Sequence, residues 1–346
     1  MTYPMKPYRL HRPESVEAAV ALAAEHPGAK YLAGGTDLVV NMRRRIAEPG
    51  HAIDLGAIAE LRGIRRVGEH IEIGAGTTIA EIAQHPEVCG AIPILAEAAG
   101  RVAGPTIRSM ATLGGNLVLD TRCIYYNQSY FWRQANDFCL KKEGTVCHVA
   151  PGGSFCWAAF SADTPPALLV LGAAVQIVGA AGPRTVPLAE FYGTDGRWSI
   201  GEAEGGLAPG ELIVRVRVPI PGEGWSGVYE KVRVRDSIDY PLVGLAMGVD
   251  WADERASTIG EVRMALTAVN PRPETVGGLE AFAGKTLDLE AVEALARLAH
   301  RTGKPMRTGV SDPAYRRAMI GALVERAASR LAPHLAEGIQ AKAAWA

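Results

Sequence analysis

The sequence has no surplus of positive charge: 36 basic residues face 37 acidic ones over 346 positions. Nothing is left over to neutralise a phosphate backbone, which argues against nucleic acid as a partner. Long apolar runs are missing too, although 48% of the residues are hydrophobic. No stretch approaches the roughly 18–20 residues that span a bilayer. The opening MTYPMKPYRLHRPESVEAAV contains neither an apolar h-region nor a small-residue cleavage site, so no signal peptide is expected there. These readings predict a soluble, cytoplasmic protein that is not a membrane protein. A Rossmann fingerprint is also lacking: the nearest approach, GAGTTI, has Ile79 where the third Gly or Ala belongs. Cysteine is sparse, with five residues, an odd number that does not suggest a secreted disulfide scaffold.

What is present reads as alternating short strands and helices, an α/β or α+β organisation in two or three domains. ESVEAAVALAAEHPG has helical apolar spacing, with Ser15 placed to cap it. AKYLAGG, HAIDL and AAVQIVG read as strands, and RRVGEHIEIGAG as two strands about a turn at Gly68-Glu69. TIAEIAQHPEV and AIPILAEAAGRV read as helices. Gly and Pro punctuate the segment from Gly182 to Gly224, and PIPGEG is the best boundary candidate. Beyond it come strands (GVYEKVRVR, GEVRMALTAV) and then helices (LEAVEALARLAH, PAYRRAMIGALVERAASRLAPHL), with a frayed tail or partner contact at the end. The expected division is 1–222, 223–332 and a tail of 333–346.

Two glycine turns suit an anionic cofactor. YLAGGTDL spans Tyr31 to Leu38, and TLGGNL spans Thr112 to Leu117. Glycine lets backbone N–H groups face a ligand and lets a pyrophosphate approach closely. Thr36, Thr112 and Asn116 can add side-chain hydrogen bonds. Gly-Gly turns also occur as ordinary loop chemistry; it is their pairing in one N-terminal region that points to a dinucleotide.

Four of the five cysteines, Cys123, Cys139, Cys147 and Cys156, fall within 34 residues. In a reducing cytosol such clustering points to a metal or a cluster. The spacing contains no C-x-x-C pair, so it matches neither a zinc ribbon nor a ferredoxin-type run. A tetrahedral thiolate set suits zinc or iron–sulfur equally, and buried structural thiols remain the alternative. Six aromatics between Cys123 and Cys139 would form a dry shell or a small satellite core. His148 reads as a surface or hydrogen-bonding histidine, and Cys89 as a core or helix-end thiol.

YLAGGTDLVVNMRRR, TLGGNL, GELIVRVRVP and YEKVRVRDSIDYPL resemble the FAD-binding medium subunits of the xanthine oxidase and carbon monoxide dehydrogenase family, over the chain to about residue 332. The resemblance implies an α+β fold: a two-subdomain FAD-binding domain of the PCMH or vanillyl-alcohol-oxidase type, then a small α+β domain like the CO dehydrogenase flavoprotein C-terminal domain. It implies FAD contacts from Tyr31, Leu32, Ala33, Gly34, Gly35, Thr36, Asp37 and Leu38, and from Thr112, Gly114, Gly115 and Asn116. Val102 and Ile213 would be apolar contacts, Asp163 would bond ribityl or ribose hydroxyls, and Lys231 would sit near the flavin's polar edge. Asp163 as a helix cap and Lys231 as a solvated strand charge are the plainer readings.

The insertion at about 119–160, with LDTRC, YNQ, FWR and CLKK, is similar to that of one branch, the beta subunits of 4-hydroxybenzoyl-CoA reductases. There it implies a [4Fe–4S] cluster on Cys123, Cys139, Cys147 and Cys156. That resemblance further implies an electron-transfer subunit without catalytic residues of its own, in anaerobic aromatic degradation. Its partners would be a large molybdopterin-binding subunit and a small subunit with two [2Fe–2S] clusters, in a dimer of heterotrimers. Ferredoxin would deliver electrons through the [4Fe–4S] cluster and FAD toward molybdenum. An aldehyde or N-heterocycle oxidoreductase subunit, or a non-catalytic zinc-stabilised scaffold, are the other readings.

Overall fold

A computed structural model of the chain describes residues 5–193, 206–253 and 257–343. Three sheets organise it. The first joins β1 (Arg9–His11), β2 (Lys30–Leu32) and β3 (His51–Asp54) in parallel, in the order β1-β3-β2. The helix Val16–Glu25 connects β1 to β2, and Ser15 caps it by accepting a hydrogen bond from the Ala18 amide at 3.2 Å.

The second sheet is antiparallel and combines β4 (Ile64–Val67), β5 (His70–Gly74), β6 (Ala174–Gly179), β7 (Gly182–Pro187) and β8 (Leu212–Pro219), ordered β4-β5-β8-β6-β7. β4 and β5 form the hairpin expected about Gly68-Glu69. β6 alternates buried and half-buried residues, as a strand with one core face should.

The third sheet runs β12-β11-β10-β9, from β9 (Trp225–Val232), β10 (Val243–Trp251), β11 (Ile259–Thr267) and β12 (Glu274–Thr275), all antiparallel. The helices Leu289–Thr302 and Pro313–Leu331 share one apolar core with it, which includes Leu245, Met247, Leu295, Leu323 and Val324. Asp288 and Asp312 cap these helices through the amides of Ala291 and Ala314. Strands followed by helices is the order expected for this part of the chain.

A second core crosses between the layers. Ile71 and Ile73 of β5 and Leu168 belong to the same cluster as Tyr229 of β9, Ala246 of β10 and Ala265 of β11. At its centre is the helix Thr164–Val170, every residue of which is buried.

Two expectations need amending. TIAEIAQHPEV forms two helices, Ile79–Gln84 and Pro86–Ala91, because Pro86 has no N–H to continue the first. The tail is helical over Ala336–Ala343 rather than frayed. The expected tail's final residues 344–346, and residues 194–205 of the Gly/Pro-punctuated segment, lie outside the described residues.

Candidate functional site

The two glycine turns meet. The first follows β2, and Gly34 lies so close to the next segment that a Cβ there would stand 1.7 Å from the Met110 carbonyl oxygen. Gly35 has φ +71°, a conformation that favours glycine. Among the described residues, the amides of Gly34, Gly35, Thr36, Asp37 and Leu38 donate to no backbone or side-chain acceptor. A run of unpaired N–H groups ahead of the helix Leu38–Arg43 is a concave nest for an anion.

The second turn is built differently. Thr112 is buried and caps the short helix Leu113–Leu117, accepting from the Gly115 amide at 3.3 Å. The amides of Leu113 and Gly114 already donate to the carbonyls of Thr77 and Ala75. Gly114 packs on Ala75, leaving 3.0 Å between a notional Cβ and the Ala75 methyl. Asn116 is buried and accepts from the Thr164 hydroxyl at 2.6 Å. This turn therefore supplies shape and support, and only Gly115 is exposed.

Asp163 and Lys231, 68 residues apart, come together as a buried ion pair at 2.9 Å. The Tyr229 hydroxyl donates to Asp163 at 2.8 Å, and Lys231 also donates to the carbonyls of Arg101 and Asp239. Burial pushes the Asp163 carboxyl up and the Lys231 ammonium down, while their mutual attraction opposes both. Neither plain reading survives: Asp163 makes no capping hydrogen bond, and Lys231 is not solvated.

Val102 and Ile213 are buried members of one core that also holds Leu113. Tyr31 is less suited to cofactor contact through its ring. Its hydroxyl donates to the Gly210 carbonyl at 2.7 Å, and burial pushes its pKa up to about 12. Leu32 lies 3.4 Å from a notional Cβ on Gly35, Ala33 is half-buried, and Thr36 is exposed.

Three site residues escaped the sequence reading. Arg122 forms an ion pair with Asp37 and lies 4.8 Å from the centre of the Tyr240 ring. Its Nε is buried without a hydrogen bond. Tyr229 is the third, through its bond to Asp163. Only the position of Arg122 beside Cys123 in LDTRC hinted at its place. Ile238 lies against Gly104, and its amide donates to the Ala103 carbonyl, so the segment carrying Ile238 and Tyr240 closes over the 101–104 turn. Met110, Ile238 and Tyr240 are exposed apolar groups near the turns, at 56%, 56% and 45%. Unpaired amides, an orphaned guanidinium nitrogen and exposed apolar surface together fit a ligand that is anionic at its middle and aromatic at its end.

The four clustered cysteines are buried and line one small cavity, with Tyr125, Tyr126, Leu140, Lys141, His148, Val149 and Ala158. Four thiols on one cavity suit a tetrahedral zinc ion or an iron–sulfur cluster. Burial pushes the Cys123 thiol up to about 12 and the Cys156 thiol up as well. His148 contacts the Phe138 carbonyl and faces Tyr125, as a hydrogen-bonding histidine. Cys89, expected in the core or at a helix end, is exposed on the helix Pro86–Ala91.

A second cavity, of about 140 Å³, is lined by residues such as Val170, Trp225, Asp250 and Arg263 and by none of the expected site residues. No helix among the described residues is long and apolar enough to cross a membrane.

Comparison with known proteins agrees with this geometry. Residues 6–221 match the FAD binding domain in molybdopterin dehydrogenase, and residues 228–331 match the CO dehydrogenase flavoprotein C-terminal domain. The chain is 32% identical over 322 residues to the carbon monoxide dehydrogenase medium chain of Hydrogenophaga pseudoflava, covering 92% of this chain and 95% of that one. It is also 32% identical over 287 residues to an aldehyde oxidoreductase FAD-binding subunit of Escherichia coli, covering 80% and 86%. Among solved structures, a Cu,Mo-CO dehydrogenase superposes with a TM-score of 0.76 at 27% identity, covering 96% of this chain and 99% of the other.

Proposed function

Because the chain belongs to the FAD-binding medium subunits of the molybdenum hydroxylase family, we propose that it is the FAD- and [4Fe–4S]-bearing electron-transfer subunit of a 4-hydroxybenzoyl-CoA reductase. The observation that carries this reading is the convergence of Cys123, Cys139, Cys147 and Cys156 on one buried cavity. That cavity adjoins the first glycine turn through Arg122, the neighbour of Cys123, which pairs with Asp37. The enzyme would remove the phenolic hydroxyl of 4-hydroxybenzoyl-CoA. Substrate chemistry would lie in a large molybdopterin-binding subunit, with a small subunit carrying two [2Fe–2S] clusters between them, in a dimer of heterotrimers with ferredoxin as donor.

When bound, FAD supplies exchange between one- and two-electron chemistry, and an iron–sulfur cluster supplies single-electron transfer. The protein's own part is to hold and insulate. The amides from Gly34 to Leu38 and the Arg122 guanidinium would hold the pyrophosphate. Lys231 and Tyr229 fix the Asp163 carboxylate. Tyr125, Leu140 and Val149 keep water from the thiols, and exclusion of solvent is one of the controls on a cluster's potential.

The likeness to the aldehyde oxidoreductase subunit, and to the nicotine 6-hydroxylase medium subunit of Paenarthrobacter nicotinovorans at 27% identity over 323 residues, favours a second reading: electrons running outward from an aldehyde or N-heterocycle. The deciding experiment purifies the chain with its natural partners and assays the complex anaerobically. Reduction of 4-hydroxybenzoyl-CoA with a low-potential donor supports the first reading; turnover of aldehydes but not of the thioester replaces it with the second.

A further inference from the structure

Three of the chain's eight histidines gather at a place the flavin and the thiols do not use. His11 ends β1 and His51 begins β3. These strands run parallel, with Arg9 opposite His51 and His11 opposite Ile53. His11 and His51 thus lie two positions apart in register, on one face of the sheet. His26 is the C-cap of the helix Val16–Glu25, its amide bonding the Leu22 carbonyl at 3.0 Å, and its ring stacks on that of His51. The three rings pack with centroids 3.9–5.1 Å apart. His11 Nε2 is 2.8 Å from His51 Nδ1, and one ring nitrogen from each residue lies within 4.8 Å of the other two. All three side chains are half-buried, open enough for an ion to enter.

We propose that His11, His26 and His51 form a binding site for one divalent transition-metal ion of the zinc class. Imidazole suits zinc, and three histidines leave a fourth position for water or a carboxylate. A tetrahedral ion with Zn–N of about 2.0–2.1 Å needs its nitrogens about 3.4 Å apart. The rings now lie at 17–33° to one another, so binding would require them to turn about χ2, a broad torsion, until their lone pairs converge. Glu25, whose Oε1 is 3.7 Å from His26 Nε2, can offer the carboxylate; Arg9 is the nearby cation that opposes the charge. The bound ion would tie β1, the end of the first helix and β3 together, a structural clamp on the layer from which the first glycine turn emerges.

The test uses the full-length flavoprotein, freed of loosely bound metal and titrated with zinc in a calorimeter. His26→Gln, at an open helix end, and His51→Gln are compared with Cys139→Ser. The site predicts one zinc per chain that Cys139→Ser retains, and that each histidine variant weakens at least tenfold with flavin content unchanged. X-ray absorption at the zinc edge should then show nitrogen and oxygen neighbours only. Zinc binding unaltered in both histidine variants, sulfur at the zinc edge, or no zinc bound by the Cys139→Ser protein would each overturn the proposal.

Discussion

Gly34 is the most crowded glycine of the two turns. A methyl group there would meet the Met110 carbonyl oxygen at 1.7 Å and its carbon at 2.5 Å, so the two glycine turns would have to part. Gly34→Ala should therefore purify with little FAD and lose about 1–3 kcal/mol, the usual cost of overpacking. Gly50→Ala is the control, since nothing lies within 4 Å of a Cβ at that position; flavin absorbance and the urea midpoint should match the parent protein. Lys231 allows a second test. Lys231→Met leaves the Asp163 carboxyl buried with only the Tyr229 hydroxyl, and breaking such a pair costs about 3–5 kcal/mol. Burial already pushes the Asp163 carboxyl above its ordinary value. Without Lys231 its folded pKa lies well above the unfolded one, so stability is greatest below the unfolded carboxylate pKa and is lost as pH rises through the folded value. The deficit of Lys231→Met, read from urea midpoints, should therefore shrink as the pH falls toward the unfolded carboxylate value. A deficit that grows on acidification would show that the pair is not what the lysine stabilises.

At the scale of elements, the insertion is attached from both sides. Its Ile124 amide bonds the Thr308 carbonyl at 2.9 Å, the buried Arg133 donates to the Arg45 carbonyl at 2.8 Å, and Arg122 reaches Asp37. The thiols and the glycine turn thus share a wall but not their ligands, and the two functions should separate by mutation. Cys139→Ser should abolish iron and acid-labile sulfide while FAD stays bound. Arg122→Gln removes a charge-assisted contact of about 1.5–3 kcal/mol, roughly ten- to hundredfold in the FAD dissociation constant, with iron content preserved. Elements with local signals were legible in the sequence: the helix capped by Ser15, the hairpin at Gly68-Glu69, and the two C-terminal helices behind Asp288 and Asp312. β10 was not, because VGLAMGVDW is buried on both faces for its first seven residues and shows no alternation. The glycine turns could be read as loops suited to an anion. That one offers open amides while the other spends them on Ala75 and Thr77 depends on a tertiary contact with no sequence signature. The same holds for the pairing of Asp163 with Lys231 and of Arg122 with Asp37, since nothing in the sequence says which charges meet.

For the molecule as a whole, the question is whether the regions matched by the two family domains behave as separate units. The packing says they do not. One apolar cluster runs from Ile71 and Ile73 through Leu95 and Leu168 to Tyr229, Ala246 and Ala265, so the third sheet completes the core of the layer before it. Glu97, on the helix Pro93–Gly100, reinforces the junction: it accepts from the Tyr229 amide at 3.1 Å and from Arg330 at 2.9 Å, and Arg330 also reaches Glu230 at 2.7 Å. Arg330 is partly exposed, so its ion pairs add little on their own, about 1 kcal/mol or less. The Tyr229 amide depends on Glu97 more, since a buried donor left without a partner costs about 1–3 kcal/mol. Removing bound cofactors should therefore leave a chain that unfolds in one cooperative calorimetric transition, despite a length at which independent domains are common. Glu97→Ala should lower that single midpoint by a few degrees, about 2–4 °C per kcal/mol for a large domain, without splitting it. Two resolved transitions in the parent protein would mean the shared core does not couple the sheets. The 101–104 turn and the Ile238–Tyr240 segment would then be free to part, and the site between them would exist only while a ligand holds it shut.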